Sequence, residues 1–80
     1  MKNNYELFAV TKEIVTALEA IGEYNFSKRI EDALSISTLP GEILGEIRVR
    51  LKEVPQNILI DSHMEKKTNL ALKYLDNILR

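Results

Sequence analysis

Residues 39–54 read LPGEILGEIRVRLKEV, and the fold class turns on whether this stretch is a helix. Ile43, Leu44, Ile47, Leu51 and Val54 recur at the three- and four-residue spacing that gathers side chains on one face of a helix. Pro40 fits such a helix only in its first turn, where the missing N–H has no intrahelical partner to lose. The helix should therefore begin near residue 39 or 40. Pro55 follows Val54, and the residue before a proline is disfavoured in helical geometry, so the helix should close there.

The flanking sequence has the same period. Leu7, Val10, Ile14, Val15, Leu18 and Ile21 form one stripe, with Glu6, Lys12, Glu13 and Glu19 on the other side. That pattern predicts a helix over residues 4–21, capped by Asn3 or Asn4 and ended by Gly22. Phe26, Ile30, Ala33 and Leu34 predict a short second helix, with Asn25 as its cap. The hydroxyl-rich run from Ser35 to Thr38 reads as a break. Met64, Ala71, Leu72, Leu75, Ile78 and Leu79 give a last helix. Ser62-His63-Met64-Glu65 has the form of a capping box at its start, and Asn57 is a rival start. No run alternates with period two. Four helices on short connections predict an all-α, compact four-helix bundle over residues 1–80, as a single domain.

Composition narrows the function classes. Eighty residues without a cysteine exclude disulfides, zinc–thiolate sites and thiol chemistry. The start, MKNNYELF, meets an acid before any long apolar run and lacks a signal-peptide core. No stretch approaches the ~18 apolar residues of a membrane span. The expectation is a cytoplasmic protein with no membrane partner. The net charge of −1 argues against a dedicated nucleic-acid binder. The charge is uneven, however: residues 1–46 carry eight acids and four bases, and residues 47–80 carry four acids and seven bases. An acidic half suits a basic protein partner.

Residues with catalytic chemistry do not form a constellation. Asp61-Ser62-His63 has the residue types of a hydrolytic triad, but neighbours on one helix turn cannot form the relay of hydrogen bonds. Capping accounts for Asp61 and Ser62. The Asp-Ser pair also resembles the modification site of acyl carrier proteins. There the serine opens the second helix and a leucine follows it, whereas Ser62 opens the last helix and is followed by His63. The single histidine has no second ligand at metal-binding spacing. Glu31-Asp32 and Glu42/Glu46 are carboxylate pairs without a further partner. The expectation is no enzyme, no cofactor and no metal.

A helix-turn-helix reading places Ala33 and Ile43 at the motif's spacing, but its recognition helix would open Leu39-Pro40-Gly41-Glu42. It also offers Glu46 near its middle, where base and phosphate contacts need Arg, Lys, Asn or Gln. Arg48, Arg50 and Lys52 fall on different sides of the helix and do not make one basic stripe.

With the core stripe removed, residues 39–54 leave Glu42, Glu46, Val49 and Glu53 outward. Gly45 beside them permits close approach of another surface. Glu42 and Glu46 also complement a helix N-terminus, and Glu46 is placed to pair with Arg50. On the last helix Leu70 and Tyr74 lie off the stripe, and either touch a second neighbour or offer an apolar patch. The candidate partner-binding set is Glu42, Gly45, Glu46, Val49, Glu53, Leu70 and Tyr74.

Phe26, Arg29, Ile30, Ala33 and Leu34, then a Ser/Thr-rich loop, then Glu42, Ile43, Leu44, Ile47, Arg48 and Leu51, resemble an order found in small all-helical bacterial proteins of toxin-immunity loci. The resemblance covers about a third of the chain. Such relatives often carry a tryptophan where Phe26 stands. It implies an immunity protein, an inhibitor that binds and neutralises a cognate toxin, and a basic toxin domain would suit the acidic half. The alternative is a housekeeping or phage-encoded helical adaptor working as a homodimer or larger homo-oligomer through Leu70 and Tyr74. A nucleic-acid-linked regulator ranks third.

Overall fold

Four α-helices run in chain order: α1 Asn4–Ala20, α2 Tyr24–Leu34, α3 Pro40–Asn57 and α4 Ser62–Ile78. The structure is a computed structural model that describes residues 1–58 and 60–79, with the backbone alone at positions 56 and 57. There is no strand among the described residues. α1 packs on α2 and α4, and α3 packs on the same two helices, so the four helices form a ring around one core. The all-α four-helix bundle read from the periodicity is the observed fold.

Each helix end has an identifiable cause. The Asn3 side chain accepts from the Glu6 N–H at 3.0 Å and caps α1. At the other end the Gly22 N–H donates to the Glu19 carbonyl and the Glu23 N–H to the Leu18 carbonyl. These two bonds make a Schellman motif, with Gly22 at a φ of 81° in the left-handed region that glycine adopts without strain. The motif delivers the chain directly into α2, whose N-cap is Glu23, so Asn25 is already helical and does not cap. Asp61 caps α4 by accepting from the Met64 N–H at 2.8 Å, which makes Ser62 the first helical residue rather than the cap.

α3 begins at Pro40 as the sequence implies, but it does not stop at Val54. It continues through Pro55 to Asn57, and the Ile58 N–H closes the end on the Val54 carbonyl at 3.0 Å. Pro55 lacks only the one N–H that would reach the Leu51 carbonyl, and the turn after it is still closed by the Ile58 N–H. Val54 is fully buried, which stabilises by about 1.5–3 kcal/mol and offsets the bias against helix before proline. Asn57 thus ends α3 and does not start α4.

One cluster forms the core: Leu7, Ile14, Val15 and Leu18 from α1, Ile30 and Ala33 from α2, Leu44, Ile47, Leu51 and Val54 from α3, and Met64, Ala71 and Leu75 from α4. Ile21 and Ile78, expected in the stripes, sit at the ends of α1 and α4 and are exposed. Buried Thr11 and Thr68 lie in the core instead. Their hydroxyls donate to the carbonyls four residues back, Leu7 at 2.7 Å and Met64 at 2.9 Å. Each is thereby satisfied within its own helix and is buried without an unpaired donor.

Candidate functional site

The outer side of α3 gathers most of the residues singled out above. Val49 is half exposed, at 50%, with Gly45 one turn before it and exposed Glu42 a further turn toward the N-terminus. A Cβ added at Gly45 meets nothing within 4 Å, so the glycine leaves open space and is not required by packing inside the chain.

Ion pairs border this strip on both sides. Toward α2, the Arg50 guanidinium donates from Nε to Glu46 Oε1 at 2.9 Å and from Nη1 to Glu53 Oε1 at 2.6 Å. Arg29 of α2 reaches the other Glu53 oxygen at 2.9 Å and also lies over the Phe26 ring, 5.7 Å from its centroid. The hydrogen bond from Arg50, helped by the charge of Arg29, holds the Glu53 carboxyl below its ordinary pKa, and the two carboxylates raise that of Arg50. Toward α4, Arg48 Nε lies 2.8 Å from Asp76 Oδ1, and Lys52 approaches the same oxygen at 4.0 Å. The Arg48 contact is an ion pair without hydrogen-bond alignment, which leaves its Nε–H unmatched among the described residues.

The expected acidic ridge is therefore largely compensated. Glu46 and Glu53 face arginines, whereas Glu42 forms no ion pair among the described residues. The i,i+4 pairing of Glu46 with Arg50 was legible in sequence. Arg29–Glu53 joins residues 24 apart and had no sequence signal.

Leu70 and Tyr74 behave differently from each other. Leu70 is 49% exposed, whereas Tyr74 is partly buried against the core and its hydroxyl donates to Asn4 Oδ1. Together with Met1, Lys73 and Asn77 they line a shallow depression. Tyr74 thus ties α4 to the start of α1, and Leu70 alone offers apolar surface. The structure does not bring these two residues beside the α3 strip: the strip faces outward from α3, while Tyr74 points along α4 toward α1.

Asp61, Ser62 and His63 are exposed at the start of α4, where Asp61 acts as the helix cap. No group of three or more His, Asp or Glu side chains is placed to hold a metal ion among the described residues. No helix is long and apolar enough to cross a membrane among those residues. The residues that carry the immunity-type resemblance are mainly those that pack α2 against α3, with Ile30, Ala33, Leu44, Ile47 and Leu51 all buried. No family model, curated protein or solved structure matches the chain.

Proposed function

We propose that the protein is a non-catalytic binding protein of the immunity type, which neutralises a cognate bacterial toxin by covering part of its surface. The observation that carries this reading is the α3 strip: Val49 stands outward above Gly45, between a border of Arg50, Glu46 and Glu53 and a border of Arg48 and Asp76. An apolar centre with a polar, water-excluding rim is the arrangement of an interface hot spot. Ion pairs already formed in the free protein hold the rim in place, so less side-chain freedom is lost on binding. Glu42 adds an unpaired negative charge at one end, which favours a basic partner and speeds encounter with it.

The test is capture of the partner from the native host, followed by binding kinetics with Val49→Arg. The substitution adds bulk and charge at the centre of the strip while leaving the core untouched. It should keep the far-ultraviolet circular dichroism of the parent and raise the dissociation rate at least about tenfold, as loss of a central contact does. Unchanged kinetics in a folded variant would place recognition on another face. Failure of the captured partner to inhibit growth when expressed without this chain would refute the immunity reading itself.

A further inference from the structure

Most of the interhelix carboxylates of this bundle have a cation beside them. Glu13 of α1 meets Lys67 of α4 at 2.9 Å, Glu53 meets Arg29 and Arg50, and Asp76 meets Arg48 and Lys52. Among the described residues one pair departs from this. Glu19 of α1 and Glu31 of α2 line the same groove at the junction of the two helices, and the negative charges of Glu19 and Asp32 both act on Glu31. Neither Glu19 nor Glu31 forms an ion pair among the described residues. The Glu31 carboxyl is accordingly raised above its ordinary pKa, first by its hydrogen bond with Glu19, then by desolvation and the neighbouring negative charges.

The same groove holds an unpaired cation. Lys12 of α1 lines it with Val15, Thr16 and Leu34, and Phe8 and Ile43 continue its apolar floor beyond Lys12. Lys12 makes no ion pair among the described residues. It lies seven residues from Glu19, about two helical turns or roughly 10 Å along α1. Residues seven apart lie on one side of a helix, so Lys12 and Glu19 share the outward ridge. Tyr5, seven residues before Lys12 and 87% exposed, extends that ridge, and Ala9 and Thr16 keep it low between the charged positions.

A helix face with a base at one end and acids at the other complements itself when a copy is turned end for end. We propose that the protein forms a two-fold homodimer in which the α1 ridge of each copy lies antiparallel in the α1–α2 groove of the other. The axis passes near Val15 and Thr16, midway between Lys12 and Glu19. Each Lys12 ammonium then stands against the second copy's Glu19 and Glu31, and the contact occurs twice, as two-fold symmetry requires. The pairing turns a like-charge contact, unfavourable in the single chain, into a triad of two carboxylates and one ammonium. It also covers the groove floor while leaving the outer side of α3 free.

Sedimentation equilibrium of the parent chain and of two oppositely reversed variants tests this directly. Lys12→Glu makes the ridge and groove wholly acidic, and Glu19→Lys with Glu31→Lys makes them wholly basic. All three positions are exposed, and circular dichroism checks that each variant remains helical. The parent should dimerise. Each variant alone should dimerise at least about tenfold more weakly, since every reversed contact is made twice. An equimolar mixture of the two variants should recover dimers, because each acidic surface then meets a basic one. A parent that stays monomeric at every concentration overturns the proposal and leaves the groove to a different protein. Variants that dimerise as the parent does, or a mixture that fails to recover dimers, overturn it equally.

Discussion

Leu51 and Leu70 are the same residue type in the interior of two helices, yet the fold assigns them opposite energetic roles. Leu51 is 0% exposed in the centre of the core, and Leu70 is 49% exposed on the outside of α4. Leu→Ala at a closely packed core site costs about 2–5 kcal/mol, the transfer free energy of the lost atoms plus a term for the cavity left behind. At Leu70 no cavity forms, and half of the side chain is already in water, so truncation should cost about 1 kcal/mol or less. Helix propensity slightly favours alanine at both sites and cannot separate them. An 80-residue domain has roughly 4–12 kcal/mol of stability at typical values per residue. Leu51→Ala therefore removes a large share of it, and Leu70→Ala leaves most in place. Urea unfolding followed by circular dichroism reads the difference. At a slope of about 1 kcal/mol per molar urea, the midpoint should fall by about 2 M or more for Leu51→Ala and by about 1 M or less for Leu70→Ala. Equal shifts, or a Leu51→Ala shift below that of Leu70→Ala, would refute the placement of the core.

The other predictions are quickly stated. Asp61→Ala should destabilise by about 1 kcal/mol through loss of the α4 cap, while Ser62→Ala should change little; thermal unfolding compares them, and the reverse order would make Ser62 the cap. Glu53 has its pKa lowered by Arg50 in the folded chain, so its contribution is present above the unfolded carboxylate pKa and lost as pH falls through the folded value. Arg50→Met should flatten that loss in urea titrations taken at acid pH, and an unaltered acid limb would refute it. Glu31 has the opposite sign: its raised pKa gives a contribution present below the unfolded value and lost as pH rises through the folded one. Glu31→Gln should therefore raise the stability of the dilute, monomeric chain at neutral pH, and lower stability there would show that the carboxylates do not repel.

Immunity-type binding and dimerisation through α1 make separate demands on the surface. The proposed dimer occupies the side of the bundle formed by α1 and α2, and the proposed recognition strip lies on α3. A partner on the outer side of α3 would use Val49 and Gly45, whereas a second copy on α1 would use Lys12, Glu19 and Glu31, so the two would not compete for the same residues. Val49→Arg and Lys12→Glu should accordingly act independently, as substitutions at distant sites do.

The helical period alone determined much of this protein. The stripe of residues 43–54 implied α3, Gly22 marked the end of α1, and Pro40 marked the start of α3, because backbone sterics and side-chain periodicity are local properties. Local rules also anticipated the Glu46–Arg50 pair. They failed where burial outweighed them. Val54 stays helical before Pro55 because the core holds its side chain, and Thr11 and Thr68 enter the core because their hydroxyls find carbonyls in their own helices. The candidate surface needed tertiary structure for a different reason. Charge compensation depends on which helices are neighbours, and sequence separation does not report that. Glu53 reads as one more acid on a ridge until Arg29, 24 residues away, is seen to reach it. Glu19 reads as an outward acid of α1 and Glu31 as half of a pair with Asp32 until α1 and α2 bring Glu19 and Glu31 into one groove.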